Sequence, residues 1–390
     1  MSLLQTLKSA VIRLNGDRNP IFDVPVARQK AFLESLPEPK DLLDRSYAQY
    51  RCQMMLERPI LRVMYQAAAM LLLLPVYQRQ LLRRPAPQKM QTADAVFLSG
   101  DCETILPNTL RREFPSLYQA HGFECCSLLR KEDMALLSTL RRRYPSAFYF
   151  RFKCMVKLAM YRYQYEVYHP KAMIVDEEYS YTSSFLTEYC HRLGVEHIDI
   201  MHGEKLYFIR DTFFCFDRCY VWDGYYRDLF CQLRAEPTQF RIELPPAMQP
   251  WDAQGVEKTV DYTYYLQVET PQMLEKIAES LQKLRKNGAK VAVRPHPLYS
   301  DMEIVRRLFP DFEIEANTEI GIETSILRTR HVVGLYSTVL YQAHINHVPV
   351  VVDDLTDPER FTQLAELKYM MLSLHHTLLS EITKSIDARR

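Results

Sequence analysis

The run Val291-Ala-Val-Arg294-Pro295-His296-Pro297 has the residue types and spacing to hold an anion. Its first three residues are apolar and read as a buried strand, with Arg294 and His296 at the end where that strand leaves the sheet. Pro295 and Pro297 keep the exit extended and stiff, so both side chains point the same way with little freedom to lose. An arginine can grip a phosphate through two parallel bonds, and a histidine can add a third. Farther along, Gly334-Leu-Tyr336-Ser337-Thr338 places two hydroxyls where a strand gives way to a helix. Hydroxyls there cap the helix, and the free N–H groups beside them attract anions. Taken singly, the first segment is also a rigid loop and the second a helix cap. In this order within one half-domain the pair is far more specific than either segment alone. Between them, Glu323 opens a short helix in Gly321-Ile-Glu323-Thr-Ser-Ile.

A second set of candidates lies upstream. Ile200-Met201-His202-Gly203-Glu204 closes another strand. An imidazole, which titrates near neutrality, suits removal of a proton from a hydroxyl, and Gly203 lets the backbone approach a substrate closely. Glu204 is an alternative base or a partner that orients the imidazole. Asp101, in Ser99-Gly100-Asp101 after the strand Ala95-Val-Phe-Leu98, is a further acidic candidate. Asp176-Glu177-Glu178 also follows a strand, but three successive acids read as a solvated turn. No Asp-x-Asp pair stands after a strand, and Asp353-Asp354 read as loop residues. The expectation is therefore no metal and no cofactor, with side chains neutralising a leaving group.

The elements that must position these residues alternate between strand and helix. Strands at 95–98, 172–175, 195–201 and 219–222 are interleaved with helices at 185–193 and 225–233. After Leu244-Pro-Pro-Ala-Met-Gln-Pro-Trp251, which reads as an interdomain linker, the alternation restarts. It runs through strands at 263–268, 290–293, 312–315, 331–335 and 348–352, with helices at 271–286, 302–308, 322–327 and 339–346 between them. Short apolar strands alternating with helices indicate parallel sheets with both faces covered. Residues 1–90 read as a helical extension, 91–250 as a Rossmann-like acceptor domain, and 251–390 as a Rossmann-like nucleotide-donor domain with a helical tail from Pro358.

Composition narrows the classes. The chain has 390 residues, 47% of them hydrophobic, with 49 Lys and Arg against 48 Asp and Glu. That length predicts more than one domain. The balanced charge argues against a nucleic-acid partner. The 9 cysteines lack paired metal-ligand spacing and read as reduced thiols of a cytoplasmic protein. No signal peptide is legible at the start. The apolar run Ala67–Val76 is too short to span a bilayer. It reads as a buried packing helix, with a helix lying peripherally at the inner face of the plasma membrane as the alternative. The basic and aromatic stretch Arg151–Arg162 could meet an anionic acceptor or a lipid headgroup; it reads first as a solvated helix face.

The Arg294–Pro297 and Ser337-Thr338 pair resembles the HP and serine/threonine motifs of bacterial GT-B sialyltransferases and polysialyltransferases. The resemblance covers about Lys290 to Asp353, and the rest of the chain only as architecture. It implies a GT-B-like α/β fold, two Rossmann-type domains facing a cleft. It implies a CMP-activated, sialic-acid-like donor, with Arg294, His296, Ser337 and Thr338 on the phosphate and Glu323 on the ribose. That family carries an acidic motif after a strand in its N-terminal half, where this chain has His202-Gly203-Glu204. The histidine and glycine look instead like those of teichoic-acid CDP-glycerol transferases, and the donor motifs are similar to those of Kdo transferases as well. All three use cytidine-linked donors. The function expected is thus a metal-independent glycosyltransferase of surface-polysaccharide biosynthesis, acting on a glycan or glycolipid acceptor. A CDP-glycerol-type or Kdo transferase, and a non-catalytic GT-B-like scaffold module, are the alternatives.

Overall fold

The computed structural model describes residues 19–75, 92–98, 102–120 and 129–388. The chain forms two compact units, Met1–His202 with Tyr207–Ala247 and Gly203–Leu206 with Met248–Arg390. The division falls inside the proline-rich linker.

The first unit is built on strands β1 (Ala95–Phe97), β2 (Leu117–Gln119), β3 (Ala172–Val175), β4 (Glu196–Ile200), β5 (Arg218–Val221) and β6 (Phe240–Ile242). All pair in parallel, in the order β2-β1-β3-β4-β5-β6. Helices cover the faces, so β1 and β3 are buried along their whole length. The Ser183–Leu193 helix stops at Gly194, whose φ of 69° is open to glycine without strain. No strand occurs among residues 19–75, as expected of a helical extension. The extension is an integral part of this unit. Its Leu42–Leu56 helix packs on Ser183–Leu193, and Arg45 reaches the carbonyl of Arg234 at 3.1 Å and the carboxylate of Glu236 at 2.8 Å.

The second unit has β7 (Val260–Tyr265), β8 (Val291–Arg294), β9 (Glu313–Ile314), β10 (Thr329–Gly334), β11 (Val350–Val352) and β12 (Thr377–Leu378), again all parallel. Its order is β12-β11-β10-β7-β8-β9. Read from β9, that is the 3-2-1-4-5-6 arrangement of dinucleotide-binding sheets, with its reversal between β7 and β10. Leu274, Ile277, Leu281 and Leu284, spaced at helical period on Pro271–Lys286, pack into the core with Val293, Val333 and Val351. Thr270 caps that helix by accepting from the Met273 N–H at 3.3 Å.

Three expectations are corrected. The tail is not helical throughout: β12 interrupts it and joins β11 through Val351–Thr377 and Val352–Leu378. The helix that follows, Leu379–Asp387, packs on Pro271–Lys286. A two-residue strand carries no alternation to read, and only its neighbour makes it one. The apolar run 67–76 is not a buried helix over its described part. It holds a π-turn at Ala69–Leu73 that leaves Met70 and Leu71 exposed. Nor is Arg151–Arg162 a solvated face, because Arg162 is buried against Asp133 at 2.7 Å. Among the described residues the cysteines are all free, and no helix is long and apolar enough to cross a membrane.

Candidate functional site

At the carboxyl edge of the second sheet, a pocket of about 270 Å³ opens between the ends of β7, β8 and β10. That is the topological switch point, where the loops of β7 and β10 diverge and leave a crevice. Arg294, His296, Ser337 and Thr338 all line it, joined by Gln267 and Asn317. The four residues expected on a phosphate are therefore brought together.

Hydrogen bonding fixes what each presents. The Leu298 N–H donates to Nδ1 of His296 at 3.1 Å, so the neutral ring carries its proton on Nε2. Desolvation holds that imidazole below its ordinary pKa, and Tyr299 stacks on it with ring centroids 4.5 Å apart. The turn is braced by Ser300 Oγ, which accepts from the His296 N–H at 2.8 Å. Asn317 also donates to the Pro295 carbonyl at 2.9 Å. Ser337 is the N-cap of the Thr338–Ile345 helix. Its Oγ accepts from Val339 N–H at 3.2 Å and from Gln267 Nε2 at 3.0 Å, which leaves its own O–H to donate. An Nε2–H, a hydroxyl and a helix N-terminus form a donor-rich surface suited to phosphate oxygens.

Arg294 is only partly available for that task. Its guanidinium is buried, and Nη1 donates to the Ile320 carbonyl at 2.8 Å and pairs with fully buried Glu315 at 3.5 Å. Glu315 also takes Arg328 at 2.6 Å and the Ser325 hydroxyl, on which the Tyr265 hydroxyl rests at 2.7 Å. This network holds up the floor of the pocket. Glu323 stands exposed on the Ile322–Leu327 helix, next to Ile322, and it is Ile322 that lines the pocket. Beside Gln267, Glu269 accepts twice from the Gln267 N–H at 2.8 Å. Burial, then the charge of Asp353, push its carboxyl up to about 7.

In the first unit, His202 follows β4 and meets the residues that follow β3. Its Nδ1 lies 3.8 Å from both Asp176 Oδ2 and Glu178 Oε1. The side chain of Glu178 is fully buried, and Glu177 pairs with Lys157. Beneath them Asp199 accepts from Glu177 N–H at 2.8 Å. Burial, then the charge of Glu178, raise the Asp199 carboxyl well above the carboxylate range. Burial works against the charge of Arg210, but Asp211 and Glu178 more than offset it and raise its pKa. The helical extension shapes this turn directly: Gln49 Nε2 donates at 2.9 Å to the carbonyls of Glu178 and Arg210.

The three acids at 176–178 are thus not a solvated turn: Glu178 is buried, and Asp176 and Glu177 are half-buried. Their position after a fully apolar strand was the signal in the sequence, and burial by the extension was not visible there. Glu204 clusters with the second unit, where its charge bears on the Tyr369 hydroxyl, while the carboxylates at His202 are Asp176 and Glu178. Gly203 has open space where a Cβ would stand. Asp101 lies outside the described residues. Among the described residues, no group of three or more His, Cys, Asp or Glu is placed to hold a metal ion.

No family model and no curated protein matches this chain. Among solved structures it is similar to the wall teichoic acid polymerase TagF with CDPG, at 10% identity, over 87% of this chain and 91% of that one, with a TM-score of 0.43. It is also similar to the UDP-GlcNAc 2-epimerase of Neisseria meningitidis bound to UDP-GlcNAc, at 8% identity over 75% and 90%, TM-score 0.43. A third is the lipopolysaccharide outer core galactosyltransferase WaaB, at 11% identity over 77% and 95%, TM-score 0.38.

Proposed function

We propose that this chain is a glycosyltransferase of surface-polysaccharide biosynthesis that takes its donor as a nucleotide, of the cytidine type. The observation that carries the reading is the pocket at the β7–β10 reversal. There His296, whose Nε2 carries the proton, Ser337 with its free hydroxyl hydrogen, and the start of the Thr338–Ile345 helix line one pocket. Preorganised donors of this kind favour a leaving phosphate, since they stabilise charge as it develops without having to reorient.

His202 acts as the base on the acceptor hydroxyl. As it takes that proton, the acceptor oxygen bonds to the donor's reacting centre. The bond from that centre to the phosphate oxygen breaks, and the electron pair stays on the phosphate. Asp176 and Glu178 stabilise the imidazolium that forms. Glu323 remains the candidate for the donor ribose. The acidic setting of His202 favours the CDP-glycerol type over the sialic-acid type within this reading, because a histidine poised by two carboxylates supplies the base that the missing acidic motif would otherwise provide.

The deciding experiment is a thermal-shift comparison of CMP, CDP, UDP and GDP, because a ligand that binds only the folded protein raises its stability. Cytidine nucleotides should raise the melting temperature most, and the rise should shrink in Glu323→Gln. Equal responses to all four, or none, would sink the donor assignment.

A further inference from the structure

The Pro59–Ala68 helix and the π-turn Ala69–Leu73 that prolongs it pack on the Phe148–Tyr168 helix, with Leu61 and Ala69 fully buried. Gln66 pins the pair by accepting from the Tyr149 N–H at 3.2 Å, and Tyr65 stacks on Tyr149. The outer side is apolar. Ile60, Val63, Met70 and Leu71 are 54, 65, 43 and 66% exposed and share one face at close to helical spacing. Contiguous apolar exposure of this kind marks an interaction surface. Between Arg58 and Pro75 the chain contains no acid, and the sequence continues to Arg79, Arg83 and Arg84.

The neighbouring cavity indicates what covers this face. Leu74, Met134, Leu137, Met155, Arg141 and Arg151 line a space of about 140 Å³, about half the volume of the pocket beside Arg294 and His296. Among the described residues, Asp41 pairs with Arg143 and Asp133 with Arg162, and no ion pair reaches Arg141 or Arg151. The Arg151 Nε is buried without a hydrogen-bond partner, and desolvation, then the charge of Arg141, press its pKa down. Two mutually repelling guanidiniums on apolar walls fit one anion that brings an apolar tail. A second copy of the chain fits poorly, since a twofold contact would set Arg141 and Arg151 against the same two charges.

We propose that this face docks on an anionic phospholipid surface, with Arg141 and Arg151 on a headgroup phosphate and Ile60, Val63, Met70 and Leu71 in the acyl boundary. The helix lies on the bilayer and does not span it.

The test is flotation of the full chain with vesicles of phosphatidylcholine alone and with about one third phosphatidylglycerol, at physiological salt. The protein should float with the anionic vesicles only. Arg141→Gln with Arg151→Gln should weaken partition about thirtyfold, from roughly a fivefold loss per basic residue. Val63→Asp with Leu71→Asp, both at exposed positions, should abolish flotation with an unchanged melting temperature. The proposal is overturned if the chain floats with neither vesicle, or if binding survives the Asp pair. It is overturned equally if inorganic phosphate stabilises the protein while vesicles do not bind it. A dimer in sedimentation that the Asp pair dissociates, without flotation of the parent, assigns the face to a second copy and also overturns it.

Discussion

The backbone N–H of Leu298 donates to Nδ1 of His296 at 3.1 Å, and this one bond determines which nitrogen faces a ligand. With Nδ1 occupied as an acceptor, the neutral ring can offer only an Nε2–H. Desolvation keeps the ring in that neutral form, because it lowers the pKa from its ordinary value of 6.5.

The tautomer is directly observable. Nitrogen-15 spectra of the histidines should show a protonated Nε2 and an unprotonated Nδ1 for His296 at pH 7, with a midpoint below 6.5. A protonated Nδ1 at pH 7 would remove the donor from the pocket and, with it, the role given to this residue. His296→Ala should lower nucleotide affinity and turnover together.

His202 and His296 should separate in kinetics. His202→Ala should spare nucleotide affinity and cut turnover by roughly 10²–10⁴, the usual worth of a positioned base. Asp176→Asn should cost less, since Glu178 remains at the same distance from Nδ1. Loss of nucleotide binding in His202→Ala, measured by calorimetric titration, would contradict the separate roles.

Glu315 is placed to support the pocket rather than to touch a ligand. It is fully buried and answers both Arg294 and Arg328. Glu315→Ala leaves two guanidiniums facing an empty acceptor and should destabilise the protein by about 3–5 kcal/mol. Urea denaturation gives the figure. A change within 0.5 kcal/mol would mean the network is not formed in solution.

Glu269 predicts a pH dependence of stability with a definite sign. Its folded pKa is raised from 4.5 to about 7, so between those values the folded chain holds a proton that the unfolded chain has released. Stability from this group therefore falls as pH rises from 4.5 to about 7. Glu269→Gln should be close to neutral at pH 5 and should stabilise the protein at pH 8. Melting curves at the two values check it, and equal shifts at both would show that the carboxyl ionises normally.

Much of the site was legible before the fold. Arg294 and His296 follow a short apolar strand between prolines, and Ser337-Thr338 open a helix, so local rules alone put all four at one sheet edge. The strands too short to alternate, β2, β6 and β12, were not legible. They exist only because a neighbouring strand offers them a ladder. Asp176 and Glu178 were misread for a related reason: three acids in a row are indistinguishable from a surface turn until the Leu42–Leu56 helix, more than a hundred residues away, closes over them.

By itself the sequence determined the α/β class, the paired parallel sheets, the helical extension and the placing of Arg294, His296, Ser337 and Thr338 at one sheet edge. These follow from periodicity, proline stiffness and helix capping, which act over a few residues. Only the tertiary structure decided that Glu315 claims part of Arg294, and that Glu204 belongs with Tyr369 while Asp176 and Glu178 stand at His202. It also left Val63 and Leu71 facing outward. Those outcomes depend on which distant groups share a buried space, and charge pairing and burial act through space rather than along the chain.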